Sequence, residues 1–140
     1  MPYLLLAFAL GLVVGLRTFT APAVLWLMRH PGPWAYALGA FALIEYAVDL
    51  LPNAPPRTST TGLVARVISG AFVGWMIGLA FGHSSPIAGA IAGAIGAVIG
   101  AYGGLAIRLR LIAAIGSVPS ALIEDAIAIL AAAAIVSRVP

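Results

Sequence analysis

All four carboxylates of this 140-residue chain lie inside apolar runs. Glu45 and Asp49 sit in Phe41-Ala-Leu-Ile-Glu-Tyr-Ala-Val-Asp-Leu-Leu-Pro52, and Glu124 and Asp125 in Ala121-Leu-Ile-Glu-Asp-Ala-Ile-Ala-Ile-Leu130. An ionised carboxylate near the middle of a membrane span costs roughly 2.5–3.5 kcal/mol. Four of them would forfeit on the order of 10 kcal/mol, about the whole stability of an ordinary domain. Any fold this chain adopts must therefore pair, neutralise or hydrate these groups.

That the runs are membrane spans follows from composition: 63% of residues are hydrophobic, 8% are charged and the mean hydropathy is +1.13. A soluble domain carries about 25% charged residues. The chain reads as one all-α integral membrane domain, residues 1–140, with about five spans near 3–28, 34–51, 62–81, 86–107 and 119–138. No basic segment precedes Tyr3-Leu-Leu-Leu-Ala-Phe-Ala-Leu10, so this stretch is expected to stay as the first span rather than to be cleaved as a signal peptide. With no cysteine, disulfides and thiolate chemistry are excluded. The seven basic residues are all arginine and form no stripe that would track a phosphate backbone, so nucleic acid is not an expected partner; membrane lipid is. Five spans would place Arg57, Arg66, Arg108 and Arg110 on one side and Arg29 and Arg138 on the other, predicting a cytoplasmic N-terminus and an external C-terminus.

Span one is interrupted by Arg17-Thr-Phe-Thr-Ala-Pro22. Proline lacks the N–H that the carbonyl of Thr18 would accept from, so a helix break is expected at Pro22, with Thr18 and Thr20 hydroxyls or water satisfying the freed groups. A buried arginine beside such a break resembles the discontinuous helices that form midplane sites in transporters; the plain alternative is a kinked helix whose arginine pairs for stability. On span two, Glu45 and Asp49 share a face by their i, i+4 spacing, which favours a shared proton or a cation between them. The polar connection Pro52–Thr61 offers Ser/Thr caps to the next helix, and Arg57 there reads as a headgroup contact.

Glycines mark the other spans. Gly62, Arg66, Gly70, Gly74, Gly78 and Gly82 recur every four residues, which predicts close helix packing and aims Arg66 into the protein. Gly89, Gly93, Gly96, Gly100 and Gly103 alternate steps of four and three, keeping one seam toward a partner that is either another span or a second subunit. A homodimer with a glycine face at its contact is expected on this reading. Arg108-Leu-Arg110 is expected to close span four.

The segment Ala42-Leu-Ile-Glu-Tyr-Ala47 recurs as Ala121-Leu-Ile-Glu-Asp-Ala126. Because the copies fall on oppositely running spans, an inverted repeat is predicted, with spans one and two as one unit and four and five as its copy. The match is imperfect, since Asp49 aligns with Ala128 and Asp125 with Tyr46. The ion-pair network of lowest cost joins Glu45, Asp49, Glu124 and Asp125 to Arg17 and Arg66 and leaves two acids for protons, water or a bound cation.

Three motifs together, Gly15-Leu-Arg-Thr-Phe-Thr-Ala-Pro22, Glu45-x-x-x-Asp49-x-x-Pro52-x-x-Pro-Pro56-Arg-Thr58 and Glu124-Asp125-Ala126, resemble a family of small bacterial multi-pass membrane proteins catalogued as domain of unknown function 4126. The resemblance implies insertion in the bacterial cytoplasmic membrane and no activity. On the residues themselves, the leading expectation is a small transporter or channel whose carboxylates bind a cation, proton or small solute. The alternative is a non-transporting scaffold locked by Glu/Asp–Arg pairs and glycine seams. An enzyme is not expected: His30 and His83 fall in separate turns away from any acid, and Ser84, Ser85, Ser117 and Ser120 read as turn and cap residues. No metal site and no cofactor are predicted.

Overall fold

The computed structural model describes residues 2–56, 58–82 and 86–140; the sequence readings for Arg57, His83, Ser84 and Ser85 lie outside the described residues. The described chain is all helical: α1 Pro2–Leu16, α2 Thr20–Arg29, α3 Pro33–Asp49, α4 Thr60–Ala80, α5 Ile87–Ile115 and α6 Ser117–Val136. Three of these, α4, α5 and α6, are long and apolar enough to cross a membrane, fewer than the five spans the sequence predicts. The shortfall comes from the first fifty residues, where α1 has 15 residues, α2 has 10 and α3 has 17.

The helix boundaries have local causes. Pro33 opens α3 at a first-turn position, where its missing N–H costs nothing. Ser59 caps α4, its side chain accepting from Gly62 N at 3.3 Å, as the Ser/Thr run predicts. α5 does not stop at Arg108; its 29 residues run on through Leu109–Ile115 because no glycine or proline intervenes before Gly116, whose φ of +90° breaks the chain between α5 and α6.

The glycines zip the centre of the bundle. A Cβ built on Gly74 would lie 2.1 Å from Gly89 O, and one on Gly93 2.1 Å from Gly70 O, so α4 and α5 touch backbone to backbone. One step further along α5, a Cβ on Gly96 or Gly100 would lie 2.3 Å from Phe8 O or Leu12 O of α1, and one on Gly11 or Gly15 of α1 would come as close to the α5 backbone. Gly78 is closed by Pro86. Gly103, expected in this seam, faces open space, and Gly104 is the buried residue instead. The seams are thus filled within the chain, which removes them as the dimer contact that the spacing predicts. On the opposite face of α5, Ile87, Ile91, Ile95 and Ile99 are half exposed at four-residue spacing, the pattern of a surface turned to lipid.

The first span is not one kinked crossing. Going up α4 from its start, Arg66 meets Gly15, and at the far end Phe81 lies 6.2 Å from the Tyr3 ring, so α1 runs antiparallel to α4. Along the same helix Ser69 meets Thr18, Phe72 stacks on Trp26 at 5.6 Å, and Leu79 and Ala80 share a cavity wall with Arg29. After residues 17–19, therefore, α2 travels back toward the end where α1 began. α1 and α2 form a re-entrant helical pair with its tip in the middle of the bundle.

This reversal corrects the predicted topology. Arg29 donates to Val139 O at 2.9 Å, and Val139 and Pro140 lie beside Leu79 and Ala80, so residues near both ends of the sequence gather at one end of the bundle rather than at opposite ends. The inverted repeat finds no support in it: α3 and α6 run antiparallel, Tyr46 sharing a cavity wall with Ile129 while Asp49 shares Arg108 with Glu124, but the broken α1–α2 pair precedes one and the continuous α5 the other.

Candidate functional site

The tip of the re-entrant pair creates the need for polar partners, and α3 and α4 supply them. α1 ends with Arg17 N bonded to Val13 O (2.9 Å), and α2 begins with Ala23 N on Phe19 O (3.0 Å). The amides of Thr18 and Phe19 between them are satisfied by one side chain: Thr18 N donates to Glu45 Oε1 at 2.8 Å and Phe19 N to Oε2 at 3.0 Å. A carboxylate on two backbone N–H groups at a helix N-terminus is a favourable anion position. The carbonyl that Pro22 deprives of a helical partner, Thr18 O, accepts from Ser69 Oγ at 2.8 Å, and Gly15 O accepts from Arg66 Nε at 3.2 Å. These groups, not the threonine hydroxyls, repair the break; Thr20 Oγ1 instead bonds Tyr46 O–H at 2.6 Å. Ser69→Ala is expected to lower stability by about 1 kcal/mol, the usual loss for one unmade bond to a buried carbonyl, as read by thermal unfolding in detergent.

Around this tip, among the described residues, all four acids and three arginines converge. Arg17, 1% exposed, pairs through Nη1 with Asp49 and through Nη2 with Asp125, and its Cζ lies 5.2 Å from the Tyr46 ring centre. Arg108 Nη1 reaches Asp49 Oδ2 at 2.5 Å and Glu124 Oε2 at 3.1 Å. Arg66 Nη1 donates to Gly62 O at 3.1 Å while Nη2 stands 3.7 Å from Glu45 Oε1. Asp49 is the hub, since one carboxylate of α3 joins Arg17 at the re-entrant tip to Arg108 of α5, and the same two arginines reach α6 through Asp125 and Glu124. Low dielectric strengthens such pairs, and it makes an unpaired member correspondingly costly.

The sequence reading joined Glu45, Asp49, Glu124 and Asp125 to Arg17 and Arg66, and the structure brings these six side chains to one place; Thr18 meets them through its backbone and Thr20 lies on Tyr46. It missed Arg108, read there as the end of a span. The signal was present: Gly96, Gly100, Gly104 and Arg108 repeat every four residues, the same pattern that turned Arg66 inward. Because Arg66 and Arg108 belong to the buried network, they no longer support an orientation from surface charge. Tyr46 and Ser69 carried no signal, being single hydroxyls in apolar helices. Among the described residues no group of three or more His, Cys, Asp or Glu side chains is arranged to hold a metal ion.

A cavity of about 810 Å³ opens onto this cluster. Glu45, Asp49, Arg66 and Arg108 lie on its wall with Thr18 and Phe19, and it extends to Ala54–Pro56 and Ser59 in the α3–α4 connection. Its origin is the reversal at Arg17: beyond that level α5 continues with no α1 beside it, and the backbones of α3 and α5 stand apart. The cavity is the half-column that a continuous first span would have filled.

Fold and site together define a helical membrane protein with a re-entrant helix pair whose tip is buried in an arginine–carboxylate cluster. No family model matches the chain, and it is similar to no curated protein and no solved structure.

Proposed function

We propose that this protein is a small membrane transporter in which a cation or proton exchanges at the carboxylates of the buried cluster. The observation that carries the reading is the cavity, which leads from one end of the bundle to Glu45 and Asp49 and stops there against the re-entrant tip. Beyond the tip, Val14, Ala21, Leu25, Val73, Ile77 and Ala132 are packed shut. A path open on one side and closed by an apolar plug on the other is what alternating access requires of one of its states. α3, about 25 Å long at 1.5 Å per residue, then serves as a fourth crossing beside α4, α5 and α6, in a bacterial cytoplasmic membrane as the motif resemblance implies.

Purified protein in proteoliposomes is expected to carry cation or proton flux that Asp49→Asn and Glu124→Gln abolish while the variants remain folded, because both keep hydrogen-bond acceptors for Arg108 but lose the titratable charge. Flux undiminished in both variants would refute the reading. The second reading, a non-transporting scaffold, is favoured by the burial of Arg17 and its simultaneous ion pairs to Asp49 and Asp125; under it the same variants lower thermal stability and no flux is present in the parent protein.

A further inference from the structure

Much of the cavity wall is apolar. Phe41, Ile44 and Val48 of α3 and Leu105, Leu109 and Ile112 of α5 line it as two apolar ladders, each covering about 10 Å of helix. Water is held in such a space only where polar groups meet it, and here Glu45, Asp49 and Arg108 interrupt the apolar rows.

The polar inventory of these charged groups is asymmetric. Both oxygens of Glu45 already accept backbone amides. Arg108 binds Asp49 and Glu124 through Nη1 alone, and its Nε and Nη2 donate to no acceptor among the described residues although the side chain lies on the cavity wall. A guanidinium presents five N–H donors in a fixed fork, so the partner that would complete Arg108 is an acceptor, and the strongest is an anion.

We propose that the cavity binds a single-chain amphiphile with an acidic head, in chemical class a fatty acid, its tail along the α3 and α5 ladders and its carboxylate on the open edge of Arg108. The volume of about 810 Å³ is within the roughly 300–1,000 Å³ usual for small-ligand sites. This binding does not depend on the transport reading, because it requires no solute to cross.

The test uses the full chain in a neutral maltoside detergent with three probes of equal tail: dodecanoate, dodecanol and dodecyltrimethylammonium, followed by ligand-dependent thermal shift and by native mass spectrometry. Dodecanoate is expected to bind saturably, and the alcohol and the cation at least roughly tenfold more weakly, the worth of one charge-assisted contact. Arg108→Gln should weaken dodecanoate by about the same factor. Because Arg108 also bridges Asp49 and Glu124, a second variant carries the test if that one fails to fold: Ala65→Phe fills cavity space from a residue that is itself in no ion pair and should abolish binding. Binding of dodecyltrimethylammonium as tight as that of dodecanoate, dodecanoate binding undiminished in Ala65→Phe, or no binding of dodecanoate to the parent chain would each overturn the proposal.

Discussion

Arg17→Met is expected to leave little folded protein. The side chain is 1% exposed, pairs with Asp49 and Asp125 at once and lies against Tyr46, so methionine fills part of its volume and returns none of its charge. Removing one member of a buried ion pair costs about 3–5 kcal/mol, because the partner stays behind desolvated. Asp49 keeps Arg108, whereas Asp125 has no other ion-pair partner among the described residues. Adding Asp125→Asn to Arg17→Met should therefore restore much of the loss, and Arg17→Lys should not, since one ammonium cannot reproduce a fork that reaches two carboxylates. Thermal unfolding in neutral detergent separates these outcomes; a melting temperature unchanged in Arg17→Met would mean that the cluster does not hold the helices together.

A comparable loss is expected from the glycine seam. In Gly74→Leu the first added carbon meets Gly89 O at 2.1 Å, and in Gly93→Leu it meets Gly70 O at 2.1 Å; in both the obstacle is backbone, which cannot rotate away. Overpacking costs typically 1–3 kcal/mol where side chains can shift, and more where two helices must separate. These variants should lose their monodisperse peak in size-exclusion chromatography. Gly103→Ala is the control, because nothing lies within 4 Å of the new methyl group. It should be neutral or stabilising by up to about 1 kcal/mol, the helix-propensity difference between the two residues. Equal tolerance of alanine at position 103 and leucine at position 74 would remove the close α4–α5 contact from the account.

Much of the site was legible because burying charge in an apolar chain is costly wherever it occurs. Arg17, Arg66 and the four acids had to meet, and periodicity alone turned Arg66 inward. Arg108 escaped because an arginine at the expected end of a span has a cheap alternative, the headgroup layer, and nothing local distinguishes the two positions. The break at residues 17–19 was likewise visible, but its repair was not. Glu45, Ser69 and Arg66 come from helices 26 to 51 positions away along the sequence, and no local pattern states which donor will find which orphaned carbonyl.

From its residues alone this chain is committed to helices in a membrane, to glycine-lined contacts between them and to a shared refuge for its charges, since each of these follows from local periodicity or from the cost of an unpaired carboxylate in hydrocarbon. The direction of the chain after Arg17 was decided only in three dimensions. A proline and two threonines permit a kink or a reversal equally, and the choice fell to distant partners: a carboxylate on α3 that caps α2, a serine and an arginine on α4 that take up the freed carbonyls, and α5 lying close enough to zip α1 in place. That one choice brought residues from both ends of the sequence to the same end of the bundle and opened the cavity beneath the charges.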